Sequence, residues 1–364
     1  MKKVLVTICA MAAVLACAKT EVTFDEPGEI SFAPVSKYAT KAAVETSTTF
    51  GQDFYVYAST NETNPVPYFK DVLFTDNNTD GVFVGTPSQF WPNEKALKFA
   101  GVTKTGNIGT AGSVEMDTWG TMTVSGYVQP LPSVADAVND LMYFFVDNNG
   151  QGYTKPENNT EVNVTPVMQH ACSWITIKVA ADANTIYKDL DSSTEGVQSY
   201  WSNIKLYEVK IQELATNADV TFTEKPTGET KAVAWTISTT ASKSENVAIY
   251  TAANGATDNV LTSTAVLLEN TSNNTVVIPQ TPFSVSLKYG YTTAASGSTE
   301  IVEEVKNISL ATTEIASWQP GMHYTYTLVI GADEIKIQPS AASWNDDLNG
   351  DAAGKGQPAD KDVK

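Results

Sequence analysis

The sequence predicts an all-β protein built as two tandem β-sandwich domains, and three observations carry that expectation. Apolar and polar residues alternate with a period of two in many short runs, the pattern of half-buried strands. Clusters of Asn, Asp, Gly and Pro punctuate the runs at roughly 8–15-residue intervals, the turn spacing of sandwiches. The chain has 364 residues, 42% of them hydrophobic, enough for two domains with real cores.

In chain order, Ile30 and Phe32 flank Ser31 as a first short strand. Residues 36–49 are small and polar and read as a linker or exposed loop. Phe54, Val56 and Ala58 alternate with Tyr55 and Tyr57, and further runs fall at 72–74, 81–84, 96–100, 122–128 and 141–146. Helical character is confined to Ser133–Leu141, where Ser133 can cap a face of Val134, Ala137, Val138 and Leu141. The strongest mid-chain punctuation, Asp147 to Gly152 and the polar residues 155–161, places a domain boundary after 161. The second set of strands begins at Val162, Val164 and Val167, and continues at 175–179, 204–211, 233–237, 247–250, 265–268, 276–278, 283–289 and 301–308. Near the end, Pro320-Gly321 is a turn signal, since Pro presets φ and Gly accepts a positive one. Tyr324, Tyr326, Leu328 and Ile330 then form a strand, and a last one carries Ile335, Ile337 and Trp344. The expected organisation is a signal over 1–16, a tether over 17–28, sandwiches over 29–161 and 162–344, and a disordered acidic tail over 345–364.

The amino terminus bears on compartment. Lys2 and Lys3 precede an apolar run, Val4–Leu15, that is too short to span a bilayer. It ends in Val14-Leu-Ala-Cys17, small or aliphatic residues before a cysteine as in bacterial lipoboxes. The expectation is cleavage before Cys17 and acylation of it, so that the membrane is reached through a lipid anchor alone. Cys9 would leave with the signal, and Cys172 would then have no disulfide partner within the chain.

Charge and residue content narrow the chemistry. There are 41 Asp+Glu against 23 Lys+Arg, a formal charge of −18, and every basic residue is lysine. That balance repels phosphate backbones and excludes a nucleic-acid binder. With two histidines, no P-loop, no GxGxxG after a strand and no CxxC, the sequence supplies no nucleophile triad and implies no cofactor and no enzyme. Cys172, beside Trp174, reads as a small buried hydrophobe rather than a nucleophile. Asp76, Asn78, Asp80 and Gly81 match the opening of a calcium loop, but Pro87 stands where the closing Glu belongs, so a hairpin loop is favoured over a metal site. The 7 Trp, 15 Tyr and 13 Phe read first as core and cross-strand pairs, and secondarily as a surface that grips sugar rings.

The ordered set Ile30-Ser-Phe32, Thr40-Lys41-Ala42, Phe54-Tyr-Val-Tyr-Ala58, Phe90-Trp-Pro92, Asp140-Leu141, His170-Ala-Cys-Ser-Trp174, Ile278-Pro-Gln280 and Trp318-Gln-Pro-Gly321 behind the lipobox resembles one known family. It is similar to the fimbrillins of Bacteroidales, the Mfa-like/FimA-like subunit lipoproteins of type V pili. The resemblance implies transthyretin-like, Greek-key sandwiches, display at the outer-membrane surface as part of a fimbrium, and a role in adhesion. It also implies donor-strand exchange with other pilus subunits: a protease removes the N-terminal strand and a neighbour's strand fills the groove. Carried over by position, Ile30 and Phe32 belong to the displaceable strand, Lys41 marks the processing loop, and Ile335, Ile337 and Trp344 form a donor or closing strand. Two departures favour a tip, accessory or anchor role over a stalk role. The chain has no arginine for an Arg-directed cut, and its tail has no alternating apolar run. The competing expectation is a monomeric surface lipoprotein that binds a glycan or another host or bacterial surface ligand.

Overall fold

The computed structural model describes residues 28–37, 44–45, 50–105, 108, 113–116, 119–130, 140–156, 164–183, 201–224, 233–237, 243–252, 260–267, 275–281, 284–293, 299–331 and 334–343. Among the described residues the elements spanning two or more residues are all strands, arranged in four sheets. The all-β expectation therefore holds. The expected helix over 133–141 falls almost wholly outside the described residues, as do the signal, the tether and the tail.

The first sheet contains β1 (Ser31–Phe32), β2 (Val35–Lys37), β3 (Val44–Glu45), β4 (Phe54–Thr60), β5 (Pro67–Thr75), β6 (Phe83–Thr86), β7 (Leu97–Thr103), β10 (Met142–Val146) and β11 (Val167–His170). Its order is β1-β6-β5-β4-β7-β10-β11-β2-β3. Only Ala33 and Pro34 separate β1 from β2, the strand next to the far end of this path, and Phe32 also bridges Val164, so one stretch of chain closes the sheet on itself. The alternation of β4 sets its two faces. Phe54, Val56 and Ala58 point into the closed sheet with Phe32, Phe74, Phe99 and Phe144, while Tyr57 points outward. Gly101 on β7 is required by this packing, because a Cβ there would lie 2.3 Å from the Phe144 ring and 2.9 Å from the Tyr55 carbonyl oxygen.

The second sheet, β8 (Val114–Glu115), β9 (Thr121–Val128), β14 (Asn217–Thr223) and β15 (Val233–Ile237), covers that outer face. Met122, Val124 and Phe222 meet Tyr57, Val102 and Tyr143, and the Tyr143 and Phe222 rings stack with centroids 4.6 Å apart. Two of these strands have no counterpart among the expected ones: the short β8, and β14, with Ala218, Val220 and Phe222 buried in alternation.

The remaining sheets form the C-terminal sandwich. One contains β12 (Ser173–Ala181), β17 (Val266–Leu267), β18 (Thr275–Val277), β21 (Met322–Ile330) and β22 (Ile335–Ser343). The other contains β13 (Trp201–Ala215), β16 (Lys243–Thr251), β19 (Ser284–Thr293) and β20 (Ile301–Ser309). On β21 the period-two pattern is literal: Tyr324, Tyr326, Leu328 and Ile330 are buried between the sheets, and the residues between them lie on the other face. Gly321 adopts φ of +66° at the turn that precedes β21, which glycine accepts without strain.

Pairings cross the division placed after residue 161. β11 pairs with β10, and β14 pairs with β9. The chain passes between the two sandwiches at Ala171–Cys172, from β11 to β12, and at Thr216, from β13 to β14.

Candidate functional site

The stretch 29–37 is flanked by backbone partners on both sides. On one side Ser31 and Phe32 pair antiparallel with Val84 and Phe83, and the Ile30 amide donates to the Gln89 carbonyl at 2.7 Å. On the other side the Val164 amide donates to Ser31 at 2.9 Å, and the amides of Ala33 and Val35 donate to Val164 and Pro166 at 2.9 and 3.0 Å. This second flank is parallel. Ile30 and Phe32 are both 0% exposed. The Phe32 ring sits edge-on to Phe74 and Phe99, with centroids at 4.9 and 5.2 Å, and 5.9 Å from Phe54 and Phe144. Without this stretch, two rows of backbone groups would lose their partners and an aromatic-lined groove would open to water.

Of the other residues singled out by sequence, Cys17, Lys41 and Trp344 lie outside the described residues. Ile335 and Ile337 lie on β22, which pairs with β21 over nine residue pairs and ends its sheet's strand order. Ile337 is buried and Ile335 packs against the C-terminal core.

The remaining motifs meet where the chain crosses between sandwiches. Asp140 and His170 form a wholly buried pair through the Asp140 carboxylate and His170 Nδ1. Burial pushes the Asp140 carboxyl up from its ordinary range while the adjoining imidazole opposes that shift. Cys172 donates its thiol to Gln129 Oε1 at 3.4 Å, and the Gln129 amide donates to the Thr216 carbonyl at 2.8 Å. The Gln280 side chain brackets Ala215, accepting from its amide at 3.0 Å and donating to its carbonyl at 3.2 Å. Trp318 N donates to the Gln280 carbonyl at 2.7 Å and Gly321 N to the Cys172 carbonyl at 2.8 Å. The Trp318 indole N–H is in turn satisfied by the Tyr326 hydroxyl at 2.9 Å. Each crossing interrupts a sheet ladder; at Ala215 the Gln280 side chain supplies the missing partners, and at Thr216 and Cys172 the backbone amides of Gln129 and Gly321 do. Cys172 is buried with its thiol pushed well up by desolvation, the opposite of what a nucleophile needs.

A family model described as Fimbrillin-like matches residues 40–344. The chain belongs to the fimbrillin-like family. Among solved structures, a fimbrial protein from Bacteroides vulgatus is similar at TM-score 0.51 and 15% identity, covering 86% of this chain and 99% of that one. The tip fimbrial protein Mfa3 from Porphyromonas gingivalis, with a C-terminal truncation, gives 0.37 at 9% identity over 87% and 100% of the two chains. A fimbrial assembly protein from Parabacteroides distasonis gives 0.36 at 11% identity over 85% and 95%. Of these three, the first bears on the fold, and it agrees with the all-β architecture. A comparison with curated proteins returns no match.

In this fimbrillin-like chain the Asp76–Gly81 loop uses its carboxylates locally. Asp76 accepts from the amides of Asp80 and Gly81, at 3.3 and 2.9 Å, and Asp80 accepts from Val82 N at 2.9 Å. These bonds close a hairpin turn, the reading favoured from sequence. Gln129 escaped the sequence reading, and Gln280 entered it only within the Ile278-Pro-Gln280 motif, since a glutamine's capacity to stand in for a strand partner leaves no local pattern.

Proposed function

We propose that this chain is a structural subunit of a pilus or pilus-like surface fibre that serves adhesion, occupying a tip, accessory or anchor position rather than the stalk. It would be held at the outer membrane by acylated Cys17 and join other subunits by strand exchange at the site now filled by residues 29–37. The observation that carries the reading is that this single N-terminal stretch closes the first sheet from both flanks. A cut near Lys41 would leave the stretch held only by its ladder bonds and by Ile30 and Phe32. A strand from a neighbouring subunit could then satisfy the same two rows of backbone groups, antiparallel to β6 and parallel to 164–167. β22 contributes to the positional assignment, because it is folded back along β21 rather than offered outward.

The test is Lys-directed limited proteolysis of the mature protein followed by size analysis. Cleavage near Lys41 with subsequent oligomerisation supports exchange. Complete cleavage there that leaves a monomer refutes it. For the anchor, Cys17→Ala should release the protein from membranes, and unchanged membrane association would overturn the lipid assignment.

A further inference from the structure

The core contacts of the second sheet with the outer face of the first reach Tyr57 on β4, and on the adjoining β5 Lys70 and Asp71 are exposed. At this step in the surface opens a cavity of about 260 Å³, bordered by Tyr57, Asn64, Pro67, Lys70, Met116 and Trp119. Its fixed polar groups are already engaged. The Trp119 indole N–H donates to Glu224, and the Tyr57 hydroxyl donates to Asp71 at 3.3 Å and to the Val114 carbonyl at 3.4 Å. Trp119 is further held by the edge-on Phe145 ring, 5.9 Å away, and by Lys98 Nζ, 4.7 Å from its own centroid. The wall therefore offers a rigid ring without a spare donor, together with a thioether and a pyrrolidine. The exposed Asn64 amide and Lys70 ammonium stand at the mouth with hydrogen-bonding capacity.

Two features select among occupants. Lys70 and Lys98 are outnumbered by Asp71, Glu115, Asp147 and Glu224, so the surroundings disfavour an anionic ligand. The volume suits one ring-sized unit, and a carbon-lined wall with polar groups at the mouth suits a ring with an apolar face and hydroxylated edges.

We propose that this cavity binds a single neutral hexopyranose unit of a glycan, with its ring against Trp119 and its hydroxyls reached by Asn64 and Lys70. This site is independent of strand exchange and should operate in the uncut monomer. The test titrates the intact mature chain with the methyl glycosides of glucose, galactose, mannose and N-acetylglucosamine, read by NMR shifts and tryptophan fluorescence. Saturable binding of at least one is expected with a Kd on the order of 1 mM, the strength one ring can supply. Asn64→Ala or Lys70→Ala should weaken it roughly fivefold to tenfold with Tm unchanged, since both residues are exposed. Binding by none of the four sugars, or binding that survives undiminished in both variants, overturns the assignment.

Discussion

Replacing Phe32 with alanine probes the closing stretch directly. The ring is fully buried and touches four other phenylalanine rings at 4.9–5.9 Å, so its removal leaves a void inside a closed sheet that has little freedom to collapse. Phe→Ala at such positions costs about 3–5 kcal/mol, the transfer of the ring plus the cavity it leaves. For a sandwich of this size that corresponds to a fall of roughly 6–20 °C in Tm. Urea and thermal unfolding of the uncut chain measure the loss, and amide exchange of β6 localises it, because Phe83 and Val84 lose protection if residues 29–37 detach. Val302→Ala on β20, at a side chain 51% exposed, serves as the control and should change stability by under about 0.5 kcal/mol. A Phe32→Ala loss below about 1 kcal/mol would refute the claim that this ring anchors the stretch, as would unchanged exchange in β6.

Three further outcomes are expected. Gly101→Ala forces a methyl to within 2.3 Å of the Phe144 ring, and thermal unfolding should show a loss of about 1–3 kcal/mol or outright misfolding. Gln280→Leu strips the Ala215 amide and carbonyl of their partners and should cost about 3 kcal/mol in urea unfolding, whereas Gln319→Ala should cost well under 1. His323 is stacked on Trp174 at 3.8 Å and bonded to Thr176, and burial, aided by the Lys178 charge, lowers its pKa from 6.5 to about 4. Between those values the unfolded state binds a proton that the folded state refuses, so stability is intact above about pH 6.5 and falls as pH drops toward 4. The total is on the order of 3 kcal/mol, and His323→Gln should flatten that part of the stability profile relative to the parent.

The strands were legible where one face of a sheet is buried and the other is not. β21 alternates cleanly for that reason, whereas β4, covered on both faces, was legible from the alternation of its residue types rather than of its burial. β14 was missed for a related reason. Its three buried residues, Ala218, Val220 and Phe222, follow the fifteen-residue β13 with only Thr216 between, so no Gly or Pro punctuation announces that the chain has changed sheets. The displaceable stretch was legible as Ile30 and Phe32, but its two-sided enclosure was not, because the parallel flank comes from residues about 130 positions later, a separation no local pattern spans. The sugar cavity was not legible as a site. Tyr57 and Trp119 look like any other core aromatics until the structure shows where the covering sheet stops.

The separation of the cores bears on whether strand exchange is physically reasonable. The buried residues fall into three clusters, and Ile30 and Phe32 belong to one of them alone, the interior of the closed sheet. The outer face of that sheet is held by a different cluster, to which β14 and β15 contribute from beyond the crossing at Thr216. The C-terminal sandwich is a third, with Trp318 and Tyr326 at its heart. Loss of residues 29–37 would therefore open one core while the opposite face of the same strands stayed covered. β4, β7 and β10 would keep their ladder and their register, because the second sheet still packs on Tyr57, Val102 and Tyr143. A groove whose floor is fixed in this way presents the arriving strand with a preformed aromatic slot, so little of the binding free energy is spent on reordering the acceptor. Gln280, by bracketing Ala215 at the end of β13, and Gln129, by its backbone bond to Thr216, fix the crossing from which β14 enters that cover. If the junction preserves the cover, the cut protein in a Gln280→Leu background should lose protection in β9 and β14 as well as in β6. If protection were lost in β6 alone, the junction would not be what preserves the groove.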